Sequence, residues 1–130
     1  MKKLYLLLPI LLLIVGCSKP VEDSTLIKKD GLQTRWYDNG QKWLEENYKD
    51  GKEDGLTTEW YENGQKWLEE NYKDGKKDGK WTKYHENGRK QEEGTHRNGK
   101  PEGLWIEWNP SGLVTSEITY KNGELINEKE

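Results

Sequence analysis

Residues 30–53 return at 54–77 with only four changes, at Gln33/Thr57, Arg35/Glu59, Asp38/Glu62 and Glu53/Lys77. Looser copies follow without gaps at 78–101 and 102–125. A fixed period of this size marks a repeat architecture. Each unit is too small to bury its own apolar face and does so by stacking on its neighbours. The chain must therefore be read as a stacked array and not as one closed core.

The unit itself is punctuated by glycine. Twelve of the 14 glycines fall on the repeat grid. One set, Gly40, Gly64, Gly88 and Gly112, follows Asn or Ser; a second, Gly51, Gly75, Gly99 and Gly123, follows Asp or Asn. Such pairs are hairpin signals. Pro110 suits the second position of a type I turn, with Gly112 left-handed behind it. This predicts three-residue loops, pairing Asn109 with Leu113, Trp108 with Val114, Ile106 with Ser116 and Leu104 with Ile118. The same loop at Lys49-Asp50-Gly51 sets Leu44 opposite Leu56. The gaps between turn glycines are too short for stable helices. The expectation is all-β: an elongated, single-layer antiparallel meander of about eight short strands, such as 32–37 and 41–48, in four repeats over residues 30–125, with residues 126–130 as a tail.

In this register one face holds Leu32, Thr34, Trp36, Leu44 and Tyr48. It carries two ring columns, Trp36/Trp60/Tyr84/Trp108 and Tyr48/Tyr72/His96/Tyr120, as scaffold. The opposite face collects Tyr37, Trp43, Tyr61, Trp67, Trp81 and Trp105, with Trp67 opposite Trp81, beside Glu45, Glu69, Glu93 and Glu117. Large rings on a wet face mark contact sites, so this set is the candidate partner-binding surface. The competing reading has these rings packing over the Gly31-type glycines.

Composition agrees with a fold built from rings and backbone pairing. There are seven Trp and seven Tyr but no Phe, and 35% of residues are charged. Acids and bases interleave to a net −3, which provides no basic face for nucleic acid. No nucleophile motif, metal-ligand spacing or cofactor signature is present, so the expectation is a protein without catalytic residues, metal or cofactor. His85 and His96 stand alone in positions that other copies give to Tyr.

The first residues carry an address. Lys2-Lys3 precede an apolar run over residues 4–15. That is shorter than the roughly 20 residues of a membrane span, and fits a signal-peptide core. Ile14-Val15-Gly16-Cys17 resembles the bacterial lipobox. That likeness implies removal of residues 1–16 and a diacylglycerol on Cys17, with residues 17–29 as lipidated terminus and tether. Cys17 is the only cysteine, so no thiol remains for disulfides. Ser18 after it implies the outer membrane where the host has one.

The pattern Asp-Gly-Leu-x-Thr-x-Trp-Tyr-x-Asn-Gly-x-Lys, closing on Tyr-Lys-Asp-Gly-Lys, resembles the bacterial variant of the membrane occupation and recognition nexus (MORN) repeat. Proteins of this kind are grouped with the YwqK-like antitoxin family. The resemblance implies an elongated sheet of hairpins and a non-catalytic binding or scaffolding role. The expected function is a lipid-anchored envelope module that contacts a protein or peptide. Alternatives are a toxin-neutralising protein and a glycan or cell-wall binder.

Overall fold

A computed structural model describes residues 30–129. The segments expected to be signal peptide and tether, with Cys17, lie outside the described residues. Within them there is no helix. The strands are β1 (Gly31–Trp36), β2 (Lys42–Lys49), β3 (Lys52–Glu53), β4 (Gly55–Trp60), β5 (Lys66–Lys73), β6 (Lys76–Tyr84), β7 (Lys90–Arg97), β8 (Lys100–Trp108), β9 (Val114–Lys121) and β10 (Glu124–Lys129). They form one antiparallel sheet in the order β1-β2-β4-β5-β6-β7-β8-β9-β10, with β3 on β2 in line with β4. The expected all-β meander is what the chain builds. The strand count rises from eight to ten because Asp54 interrupts one rung and residues 124–129 add another, against β9.

Two kinds of hairpin alternate. In the first, the Tyr37 N–H donates to Gln41 O (2.9 Å) and the Gly40 N–H to Tyr37 O (3.0 Å), with Gly40 at φ 83°. This is the expected three-residue loop, and Asn109 does meet Leu113 (2.9 Å). The second is not. Asp50 and Gly51 both have positive φ (51° and 73°), and Lys49 pairs with Lys52. Two left-handed central residues make a two-residue type I′ turn. A carboxylate from the first residue of the same unit holds it in place: Asp30 accepts from the Gly51 N–H (3.1 Å), Asp54 from the Asp74 N–H (3.3 Å), Asp78 from the Asn98 N–H (3.1 Å) and Glu102 from the Asn122 N–H (2.6 Å). The recurring Asp-Gly thus closes a turn one hairpin further on.

The expected division of side chains between faces is overturned. Trp36 pairs with Lys42, but Arg35 pairs with Leu44, leaving Trp43 as an extra residue in a β-bulge. The same bulge recurs in each copy. One extra residue reverses the in/out phase of the rest of the strand. Beyond it Ile106 meets Glu117, not Ser116, and Leu104 meets Thr119, not Ile118. Leu44 meets Glu59 instead of Leu56. Trp36 and Tyr48 therefore lie on opposite faces. So do Leu32, Thr34 and Trp36 against Leu44 and Tyr48, and Leu104, Ile106, Trp108 and Val114 against Ile118 and Tyr120.

One face is well covered and the other is open. The buried hydrophobic residues Leu44, Tyr48, Leu68 and Trp105 all share the covered face. There the ring column of Tyr48, Tyr72, His96 and Tyr120 sits directly across from Gly31, Gly55, Gly79 and Gly103. Of the large exposed apolar side chains, Leu32, Trp36, Leu56, Leu104 and Val114 belong to the open face, whereas Leu113 lies in the last three-residue loop and Leu125 and Ile126 on the terminal strand β10.

Candidate functional site

The aromatic and acidic residues expected to share one surface are separated by the bulge. Tyr37, Trp43, Tyr61, Trp67, Trp81 and Trp105 belong to the covered face. Arg35 lies 5.9 Å over the Trp43 ring, and Tyr37 is 6.4 Å from it. Tyr61 and Trp67 repeat that pair at 6.5 Å. Trp81 does not face Trp67. It meets Glu70 on one side and Gly94 on the other. Trp105 stacks 5.2 Å from Trp81 and edge-on to His96 at 5.0 Å. Most of these rings hold the array together. The Tyr37 hydroxyl donates to Trp60 O (2.7 Å), the Tyr61 hydroxyl to Tyr84 O (2.8 Å), and His85 Nε2 lies 2.8 Å from Trp108 O. His85 thus takes over a tyrosine's bond to the next unit. Burial, followed by the charge of Lys77, keeps His96 below the ordinary histidine pKa.

Glu45, Glu69, Glu93 and Glu117 are on the open face, in an unbroken cross-strand row: Thr34, Glu45, Thr58, Glu69, Thr82, Glu93, Ile106, Glu117. Thr58 and Thr82 are buried in it. Strands in a sheet are about 4.8 Å apart, so equivalent side chains recur every ~10 Å along the row.

A second row runs beside the first, and sequence reasoning assigned it elsewhere. It pairs Trp36 with Lys42, Trp60 with Lys66, Tyr84 with Lys90 and Trp108 with Val114. Lys42 Nζ is 2.5 Å from Glu45 and 5.5 Å from the Trp60 ring centre. Lys66 bonds Glu69, and Lys90 is 2.5 Å from Glu93 and 5.9 Å from the Trp108 ring. The signal was present as Lys-x-x-Glu in three copies. Residues three apart face opposite ways on a regular strand, so a recurring ion-pair spacing of three pointed to the bulge.

Neighbouring bases hold two of these acids, Glu69 and Glu93, ionised. Burial pushes the Glu69 carboxyl up. Hydrogen bonds from Lys66 and Tyr84 and the charges of Lys66 and Lys80 outweigh it, leaving the group below its usual range. Glu93 is lowered chiefly by its bond from Lys90, against burial, with help from Lys80 at 3.0 Å. The Tyr84 hydroxyl, buried and bonded to Glu69 (2.6 Å), is raised well above a normal phenol. The open face is thus a zwitterionic ladder with apolar borders: Leu32, Leu56 and Leu104 on one side, the Trp–Lys row on the other. Among the described residues no group of three or more His, Cys, Asp or Glu is placed to hold a metal ion.

A single-layer array of hairpins whose units place equivalent positions in register on one open face is a repeat-built binding or scaffolding sheet. Four segments, 29–50, 53–74, 77–98 and 101–122, match the model of the MORN repeat variant, each 24 residues after the last. The chain belongs to the MORN repeat variant family. No curated protein matches it.

Proposed function

We propose that the chain is a non-catalytic binding module of a bacterial envelope, anchored by lipid on Cys17, whose open face receives a protein partner. The observation that carries this reading is the sorting of apolar side chains. The buried hydrophobic residues lie on one face, whereas Leu32, Leu56, Leu104, Trp36 and Val114 stand exposed on the other, between 44% and 61% accessible. Exposed apolar positions in two strips, flanking a charged ladder on one face, are the surface type that protein partners cover. A sugar would stack on ring faces, but lysines already lie over Trp60 and Trp108. That favours the protein partner over the glycan.

The test is site-specific photocross-linking in a host that lipidates Cys17. A cross-linker at Leu56 or Leu104 should give a discrete adduct, and one at Trp43 or Trp67 should not. Adducts from Trp43 and Trp67 alone would transfer the surface to the other face. For the anchor, Cys17→Ala should abolish incorporation of labelled palmitate and release the protein from the membrane fraction. Persistent labelling would refute it.

A further inference from the structure

We propose that β1 is a self-complementary edge through which two copies of the chain join their sheets, antiparallel, about a two-fold axis at Thr34. The argument begins with backbone direction. The Tyr37 N–H is spent on Gln41 O within the hairpin. Bonding direction alternates along an antiparallel strand, so Trp36, Thr34 and Leu32 turn their N–H and C=O groups away from β2. The interior shows what such an edge accepts: Thr58, the counterpart of Thr34 on β4, pairs with Glu45 of β2.

The side chains fit the same register. An antiparallel pair centred on Thr34 sets Leu32 against Trp36 of the second copy, and Trp36 against its Leu32. These two are 61% and 59% exposed, and each would cover the other. On the covered face Gln33 meets Arg35, and Gly31, which has no side chain to clash, meets Tyr37. The next pair out, Asp30 with Asp38, is repulsive and ends the contact. An isologous contact of this kind closes as a dimer.

The other edge does not offer this. Centred on Asn127, two copies of β10 would set Ile126 against Glu128 and Leu125 against Lys129. Head-to-tail stacking fails on direction. Strands alternate through the sheet, with β3 and β4 in one rung, so β1 and β10 run the same way. Joining unlike edges of stacked copies brings parallel strands together. Like edges meet antiparallel.

The contact is narrow, so its affinity falls in the weak class of interfaces. The experiment is sedimentation equilibrium of the full chain in neutral detergent at roughly 10–100 μM, with hydrogen exchange of the β1 amides. The expected result is a monomer–dimer equilibrium with slow exchange at Leu32, Thr34 and Trp36. Gln33→Arg should weaken the dimer about tenfold by facing Arg35 of the other copy. Within the chain it gains an attractive neighbour in Glu46, so the fold is not weakened. Gln33→Glu should tighten the dimer. Thr34→Pro removes an outward N–H and the long 3.5 Å bond from the Thr34 hydroxyl to Glu45, breaks no bond of the β1–β2 ladder, and should leave a folded monomer. A monomer at every concentration, or a dimer indifferent to all three changes, would overturn the proposal. So would a monomer with protected β1 amides, which would mean that the segment before Asp30 covers the edge.

Discussion

Single residues show where the copies stopped being interchangeable. Across the middle of the covered face the first half places Glu46, Thr57 and Glu70, whereas the second half places Trp81, Gly94, Trp105 and Ile118. Gly94 has no glycine equivalent in the other copies, and its reason is steric. A Cβ there would lie 2.1 Å from Cδ2 of the Trp105 ring. Gly94→Ala should therefore cost about 2 kcal/mol through overpacking, and the cost should vanish in a Trp105→Ala background, measured by urea unfolding as a double-mutant cycle. Nothing in one sequence revealed this pairing, because the two residues belong to different copies. Nearby, Glu92 faces Glu107 across the strands, with Lys83 on its other side. Burial, then the Glu107 charge, raises the Glu92 carboxyl above its ordinary pKa, against Lys83. A group raised on folding favours the folded state at pH below its unfolded pKa and loses that contribution as pH climbs through the folded value. Glu92→Gln should thus be neutral near pH 3.5 and stabilise at pH 7 by about 0.5 kcal/mol, the scale of a relieved like-charge cross-strand pair. An equal effect at both pH values would show that charge is not the cause.

At the level of strands and turns, the three-residue loops could be read from Pro110 and the Asn-Gly pairs, but the faces could not be read from alternation and turn residues alone. Residue type marks where a turn falls, whereas the bulge at Trp43 depends on two adjacent side chains, Trp43 and Leu44, both packing on the covered face. Alternation counted straight through it put every later side chain on the wrong side, which split the candidate site into two. The second bulge differs in consequence. Between the pairs Tyr48–Glu53 and Glu45–Thr58 the returning strand carries two more residues than β2, so the phase is kept. Its glycines have φ values reserved for glycine, 100° at Gly31 and 111° at Gly55. The site is also crowded where an asparagine lies beside it: a Cβ on Gly55 would meet Asn47 Cβ at 3.3 Å and one on Gly79 would meet Asn71 Cβ at 3.2 Å, whereas one on Gly31 or Gly103 would meet nothing within 4 Å. Gly31→Ala should cost backbone strain alone, about 1–2 kcal/mol. Gly55→Ala should cost more by the Asn47 contact, which also displaces the Asn47 bond to Leu56 O (2.7 Å). Thermal melts of the two variants separate conformational from steric cost, and equal losses would contradict the crowding.

Over the chain as a whole, the period needed no structure, because an unbroken spacing of 24 residues gives every unit-to-unit junction the same layout. The structure shows what a junction consists of. Asn39 donates to Glu62 O (3.0 Å), Asn63 to Glu86 O (3.1 Å) and Asn87 to Pro110 O (2.9 Å) along one margin of the sheet. Along the other, the Gly75, Gly99 and Gly123 amides reach Glu53, Lys77 and Pro101 carbonyls. All of these bonds join one unit to the next and none skips a unit, so stability should be a sum of unit and junction contributions. A second copy of residues 54–77 inserted after Lys77 creates a junction between identical units, which the near-identity of the first two copies already shows to be compatible. The five-unit chain should unfold in a single transition, at higher urea, with a slope about a quarter steeper, since the slope follows the surface exposed on unfolding. The apolar strips of the open face would gain a further Leu and Trp in register, so the partner that cross-links to Leu56 and Leu104 should also cross-link to the inserted copy. A biphasic transition would show that the junctions are weaker than the units they join, and would remove the rigid, evenly spaced ladder on which the proposed recognition by this face depends.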